Sequence, residues 1–206
     1  MKILILALTT AMTVILLVAA ISTPILSHIQ TAYAQNNTSA NATITTTATT
    51  KTKAATDFRQ YSNSTLGIKI EVPADWLYKE INNTAVAFVS PPNETNRAAV
   101  VAYIEKVPSG MLLVNFTQRN IQYLHQTTPS FHLITSNLTS LAGSPAYQIV
   151  FTSLSNTGHD FRKGMSIWTL KNDKAYIITY RAEPGLGSFT TQLPIVSHMV
   201  KSFQVS

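Results

Sequence analysis

The chain has 206 residues, of which 15 are Lys or Arg, 9 are Asp or Glu and none is Cys, so its formal net charge is +6. With 45% apolar and 12% charged residues, the composition excludes a wholly disordered chain and a membrane protein with several spans. The lack of Cys excludes disulfides, thiolate metal ligands and a Cys nucleophile. Dense clusters of Lys and Arg are missing, so we expect no nucleic-acid partner.

The amino terminus carries the pattern of a secretory leader. Met1-Lys2 precedes an uncharged apolar run from Ile3 to Ile21, and the small-residue pattern Ala32-Tyr33-Ala34 follows. These features predict that residues 1–34 are a signal peptide, cleaved after Ala34. The apolar run would also extend about 28 Å as a helix, so an uncleaved signal anchor is the alternative. Both interpretations place the rest of the chain on the extracytoplasmic side, either secreted or anchored in the cell membrane.

A change of composition separates this leader from the rest of the chain. In residues 35–56, 9 of 22 residues are Thr, and Asn, Ala and Ser supply most of the others. Such a segment cannot bury enough apolar surface to offset its ordering entropy, which predicts a flexible linker before a domain of residues 57–206. N-glycosylation sequons are frequent, and two interpretations stay open: unused sequons or a glycosylated surface protein. The sequons begin at Asn36, Asn37, Asn41, Asn63, Asn82, Asn93, Asn115 and Asn137.

The domain is dominated by the alternating pattern of half-buried strands. Leu66, Ile68, Ile70 and Val72 alternate with smaller or charged residues until Pro73, which predicts a first strand. Between the last two predicted strands, Lys171-Asn172-Asp173-Lys174 predicts a tight hairpin, because Asn and Asp tolerate positive φ. The further strands are predicted over residues 85–89, 98–107, 131–138, 146–152, 163–170 and 175–182.

Two segments have the helical period instead. Leu113–His125 places Phe116, Ile121 and Leu124 on one face, and a second amphipathic segment ends at Phe203. Pro194 is tolerated in a first turn, which predicts that the second helix begins near Thr191. Since strands and helices do not alternate regularly, we predict an α+β fold, in which helices flank a mainly antiparallel sheet.

Several motifs resemble those of the PsbP family. Phe58-x-x-Tyr61 and the run from Leu66 to Trp76 are similar to the opening strand and turn of PsbP domains, and Gly143-x-Pro145-Ala146-Tyr147 is similar to a later turn and strand. Together with the closing stretch from Trp168 to Phe203, the resemblance spans nearly all of the 57–206 domain. It implies a PsbP-like α/β/α sandwich.

The resemblance also implies a role in binding or assembly. PsbP is an extrinsic lumenal subunit of photosystem II that helps to retain calcium and chloride at the manganese cluster. Prokaryotic relatives are exported or tethered to membranes, and a eukaryotic cousin of the fold binds a small GTPase. We therefore expect an extracytoplasmic protein partner within a membrane complex. The plant-type amino-terminal region of PsbP is replaced here by the Thr-rich segment, so the resemblance does not extend to a photosystem role.

The residues supply no obvious catalytic group. The sequence has no nucleophile elbow, no Gly-rich phosphate loop and no carboxylate pair at helical spacing, so we predict that the chain is not an enzyme. The alternative function is ligand binding, in which His159 and Asp160 offer an imidazole and a carboxylate to calcium or manganese. An exposed polar turn without a ligand is the other interpretation of this pair.

Basic residues suggest a surface for the partner. Arg162, Lys163, Lys171 and Lys174 lie on the two strands of the predicted hairpin and could form one basic edge. Such an edge could bind an acidic protein or an anionic lipid surface. Alternatively, it could be a charged sheet edge that prevents aggregation through strand pairing.

Overall fold

Alternating apolar residues form most of the described chain into strands. The computed structural model describes residues 57–206 except 93, 95, 155–159 and 184–186, so the predicted leader, the linker and the Asn93 sequon lie outside the described residues. In chain order the elements are β1 (Phe58–Asn63), β2 (Ile68–Pro73), β3 (Leu77–Ile81), β4 (Ala85–Val89), β5 (Ala98–Lys106), α1 (Leu113–Thr127), β6 (His132–Leu141), β7 (Ser144–Leu154), β8 (Phe161–Lys171), β9 (Lys174–Ala182), α2 (Ser188–Ser202) and β10 (Gln204–Val205).

The strands form a large sheet and a small one. The large sheet has seven strands in the order β3-β4-β5-β9-β8-β7-β6, and the small sheet has the order β1-β2-β10. Neighbouring strands are antiparallel throughout the described chain. This arrangement confirms the predicted α+β fold with a mainly antiparallel sheet flanked by helices.

Both faces of the large sheet are apolar, and each is covered by different elements. On one face, Phe116 and Leu124 of α1 pack against Phe151 and Trp168. On the opposite face, α2 and the small sheet share a core with Phe88, Tyr180 and their neighbours. Strands buried on both faces are almost continuously apolar, as in the fully buried run of β4. The central strands can therefore present few polar groups to solvent.

Three strands were not predicted from the sequence. β3 has the sequence LYKEI, in which only Ile81 is buried, and β10 has two residues. β1 buries Tyr61 alone. A strand with one buried side chain shows no alternation to detect, so its existence depends on the neighbouring strand with which it pairs.

The second helix begins earlier than predicted. α2 starts at Ser188, so Pro194 lies inside the helix and not in its first turn. The interior Pro removes one backbone hydrogen bond. Tertiary contacts offset this loss: the Tyr180 hydroxyl donates to the Phe189 carbonyl at 2.9 Å, and Gln192 Nε2 donates to the Asn96 carbonyl at 2.7 Å. The predicted β8–β9 hairpin is confirmed, with its two central residues at positive φ.

A polar cluster connects the small sheet to the edge of the large one. The Tyr61 hydroxyl on β1 donates to Glu80 Oε1 on β3 at 2.6 Å, and Asn63 Nδ2 donates to the same oxygen at 2.9 Å. These two donors lower the pKa of Glu80 below its usual value. Burial, helped by the bond to Glu80, raises the pKa of Tyr61. The charged carboxylate is thus the form that the folded state prefers.

We expect Glu80→Gln to weaken the acid dependence of stability. Because folding lowers the pKa of Glu80, its contribution is present above the unfolded pKa of about 4.3 and is lost as pH falls through the folded pKa. The variant should therefore have a lower Tm than the parent at pH 7 and the same Tm near pH 2. Lys79→Gln is the control, since Lys79 points to the opposite face of β3. An equal Tm difference at both pH values would contradict the assignment.

A close contact at Gly164 yields a second prediction. A Cβ added at Gly164 would lie 2.7 Å from Cζ of Phe151, whose ring is 1% exposed and cannot move into solvent. We expect Gly164→Ala to reduce the free energy of unfolding by about 1–3 kcal/mol, measured by chemical denaturation. In a Phe151→Leu background the cost should fall by at least about 0.5 kcal/mol. Equal costs in both backgrounds would show that the ring is not the cause.

Candidate functional site

The predicted basic edge is not an edge of the sheet. β8 and β9 occupy central positions of the large sheet, whose edges are β3 and β6. The alternative interpretation, a charged edge that prevents aggregation, is therefore wrong for this hairpin. Its strands already pair on both sides and offer no free ladder to another chain.

The four basic residues also do not form one patch. Arg162 and Lys163 begin β8, whereas Lys171 ends it and Lys174 begins β9, so the two pairs are separated by about 30 Å of extended strand. This separation corrects the single basic surface that the sequence predicted. Their role in partner binding stays a prediction, now for two separate ends of the sheet.

Three of the four basic residues also have a local contact. Arg162 lies 3.8 Å from Glu183, with 12% of its side chain exposed. Lys163 lies over the Phe189 ring on the opposite face, and Lys171 Nζ donates to the Val205 carbonyl at 3.2 Å. Lys174 is partly buried at the hairpin. Arg162 is therefore mostly buried, whereas Lys163 is exposed.

The predicted cation site cannot be assembled from the described residues. His159 lies outside them, and Asp160 immediately precedes β8. Among the described residues, no three His, Asp or Glu side chains are grouped closely enough to hold a metal ion. Binding of calcium or manganese by His159 and Asp160 stays a prediction.

The longest exposed strand is β6, one edge of the large sheet. Eight of its ten residues are exposed, and it contains neither a charged residue nor a Pro. Leu138 is 70% exposed and Ile134 is 45% exposed. The register with β7 shifts around Ile134, so regular pairing runs from Thr135 to Leu141. An edge strand leaves part of its backbone N–H and C=O groups available for another strand.

The opposite edge differs in length and in charge. β3 has five residues and carries Lys79 and Glu80, and charged side chains disfavour the addition of a further strand. β6 has no such protection. It is the edge of the large sheet that is suited to pairing with an extended segment.

An open cavity of about 550 Å³ lies next to the end of β6. One side is formed by residues 140–143, where β6 turns into β7, and the other by the end of α2 together with β10. Its lining combines apolar side chains with the polar side chains of Ser140 and Gln204, and Lys201 is its titratable residue. A segment that extends β6 could continue into this cavity.

The structure places the domain sequons in different environments. Asn82, Asn115 and Asn137 are exposed, and Asn137 lies in the middle of β6. Nδ2 of Asn63, the atom to which a glycan would be attached, instead donates to Glu80. Glycosylation itself stays a prediction. Within the described part of the chain, no helix is both long enough and apolar enough to cross a membrane.

The profile of the PsbP-like protein family matches residues 11–205. The chain belongs to the PsbP-like protein family. This membership confirms the resemblance that the Phe58, Trp76 and Gly143 motifs carried. No curated protein sequence matches the chain significantly.

Solved structures show the same fold at low sequence identity. Cyanobacterial PsbP (CyanoP) of Synechocystis has a TM-score of 0.55 and 17% identity, and the match covers 77% of this chain and 98% of that chain. The Ran-binding protein Mog1p of Saccharomyces cerevisiae has a TM-score of 0.54 and 12% identity, covering 73% and 96%. LpqN of Mycobacterium tuberculosis, involved in cell envelope biogenesis, has a TM-score of 0.52 and 16% identity, covering 68% and 83%.

Proposed function

We propose that this PsbP-like chain is an exported, non-catalytic module that binds a protein partner through β6 and supports a membrane-associated complex on the extracytoplasmic face. The observation that carries the proposal is the exposed, uncharged edge of β6. The leader pattern of residues 1–34 supports export, because a basic start followed by an apolar run and small residues is typical of secreted proteins. If residues 1–34 stay in the membrane as an anchor, the segment of residues 35–56 would join the domain to that anchor.

The proposed partner segment is an extended strand. Pairing along Thr135–Leu141 would offer it a ladder of about 24 Å, long enough for several backbone hydrogen bonds. Affinity in such complexes comes from the main chain, and specificity comes from alternate side chains.

The chemistry of β6 limits the sequence of the partner. Since β6 carries no charge, an ionic side chain opposite it would lose water without gaining a counter-ion. Leu138 would be covered by an apolar or aromatic residue, which buries surface that is 70% exposed in this chain. The partner segment is therefore expected to be uncharged, rich in β-branched residues and apolar at one position.

Two proteins of similar fold have names that refer to binding or assembly. Mog1p is named as a Ran-binding protein, and LpqN is named for a part in cell envelope biogenesis. Both names support a binding or assembly function for this chain. Among the described residues, the His, Asp and Glu side chains form no group of three that could hold a metal ion.

The test is crosslinking in intact cells, followed by recovery of the tagged protein. We expect the parent chain to give a reproducible adduct with an extracytoplasmic protein. Ser136→Lys/Leu138→Lys should reduce recovery of that adduct about tenfold or more, because two buried, unpaired charges would oppose strand pairing. Val114→Lys is the matched control, since Val114 is an exposed apolar residue on α1 and is 43% exposed. Its adduct should persist.

Four results would contradict the proposal. The first is the absence of any reproducible partner in intact cells. The second is an equal loss of the adduct in the β6 variant and in Val114→Lys. The third is a glycan on Asn137 of the native protein, detected by mass spectrometry, because a glycan in the middle of β6 would block the edge. The fourth is an adduct formed only between two copies of this chain, which would indicate self-association and not the support of a complex.

A further inference from the structure

Three arginines meet at one end of the large sheet, on the face that α1 covers. Arg181 of β9 lies opposite Gly164 of β8, and Arg162 is the second residue of β8. Arg97 immediately precedes β5, and its carbonyl accepts from the Glu183 amide at 2.9 Å. Residues opposite one another on antiparallel strands point to the same face, and so do alternate residues along one strand. The three side chains therefore share one surface.

The guanidinium groups have buried donors without partners. The Nε atoms of Arg97, Arg162 and Arg181 are buried, and none has a hydrogen-bond partner. On the described residues they make up three of the four buried side-chain atoms in this condition. Leaving a buried donor unpaired costs free energy, and buried polar groups are almost always paired. Three such donors on neighbouring strands could be paired by one bound acceptor group.

The charges at this end of the sheet are also unbalanced. Glu183 lies 3.8 Å from Arg162, and Asp160 precedes Arg162 by two residues. Even if both carboxylates are counted, the three arginines leave an excess of positive charge. Burial, together with the charge of Arg162, lowers the pKa of Arg181 to about 10, so Arg181 is still charged at neutral pH. An anion would relieve this repulsion, whereas a cation would increase it.

The cluster is built on a rigid support. The Arg181 guanidinium lies 5.7 Å from the centroid of the Phe151 ring. The ring in turn lies against Gly164, where no Cβ could be accommodated without movement. Ser153, which is 1% exposed, is opposite Arg162 on β7. Arg181 therefore rests on a packed aromatic ring, which reduces the entropy that it would lose on binding a ligand.

We propose that Arg97, Arg162 and Arg181 form a binding site for a phosphate group, carried by inorganic phosphate or by a soluble phosphomonoester. Arginine forks match the oxygens of phosphate in geometry and charge. Phosphate is favoured over a carboxylate because three guanidinium groups offer more donors than the two oxygens of a carboxylate accept. This site is independent of the β6 edge.

The experiment measures binding to the purified full chain at constant ionic strength. Inorganic phosphate and glycerol phosphate are the two ligand probes, acetate is the carboxylate comparison, and NaCl is the salt control. Thermal shift gives the apparent affinity. The arginine Nε–H signals in a ¹⁵N–¹H spectrum report on the proposed donors directly. We expect a saturable rise in Tm with at least one phosphate probe, and movement of the Nε–H signals that Arg162→Gln and Arg181→Gln remove.

Variants separate the site from general charge effects. Arg162→Gln and Arg181→Gln should each weaken phosphate binding about tenfold or more. Arg59→Gln removes one positive charge elsewhere, where Arg59 donates to the Trp76 carbonyl, and should leave the affinity within about twofold. Binding of glycerol phosphate alone would assign an ester as the ligand, and binding of both probes would assign the phosphate group itself.

Two outcomes would overturn the proposal. One is a Tm in phosphate that equals the Tm in NaCl of the same ionic strength, with unmoved Nε–H signals in the parent chain. The other is an equal loss of binding in Arg59→Gln and Arg181→Gln, which would indicate charge screening and not a site. The spectrum of the parent chain decides the first outcome even if a variant does not fold.

Discussion

The large sheet has an apolar surface on both faces, and the rest of the molecule follows from the need to cover both. An antiparallel sheet can leave one face in water, but here the central strands are buried on each side. α1 covers one face, while α2 and the small sheet together cover the other. The small sheet is thus needed for this core, because α2 alone would leave part of the face uncovered. Sheet edges remain exposed, because coverage of the faces does not pair their backbones.

This division between faces and edges separates two properties of the chain. At the β6 edge, the backbone is accessible and the side chains carry no charge, which suits association with another strand. Where β8 begins and β9 ends, strand register brings three guanidinium groups to one end of the sheet, which suits an anionic ligand. The two sites use different interactions and lie on different strands. Membership of the PsbP-like family fits a binding module.

Much of the fold could be predicted from local pattern. The apolar run of β4 was predicted at its observed bounds, and the Asn172-Asp173 turn was predicted because both residues tolerate positive φ. β1, β3 and β10 could not be predicted, since each buries at most one residue and forms only beside a partner strand. α2 begins before the predicted residue because contacts of Tyr180 and Gln192 stabilise its first turns. They offset the helix-breaking effect of Pro194. The family motifs are also short stretches of sequence, so they could be recognised before the fold was known.

The sequence by itself determined the fold class, the family and the pattern of a leader, because periodicity, turn residues and short motifs act over a few neighbouring residues. Only the tertiary structure decided which residues share a surface. Arg162 and Lys171 are close in sequence, but a strand extends between them and separates them. Arg97 and Arg181 are far apart in sequence, yet antiparallel register brings them to one end of the sheet. It also made β6 an edge and β8 a central strand, because strand order depends on long-range pairing that no local pattern encodes.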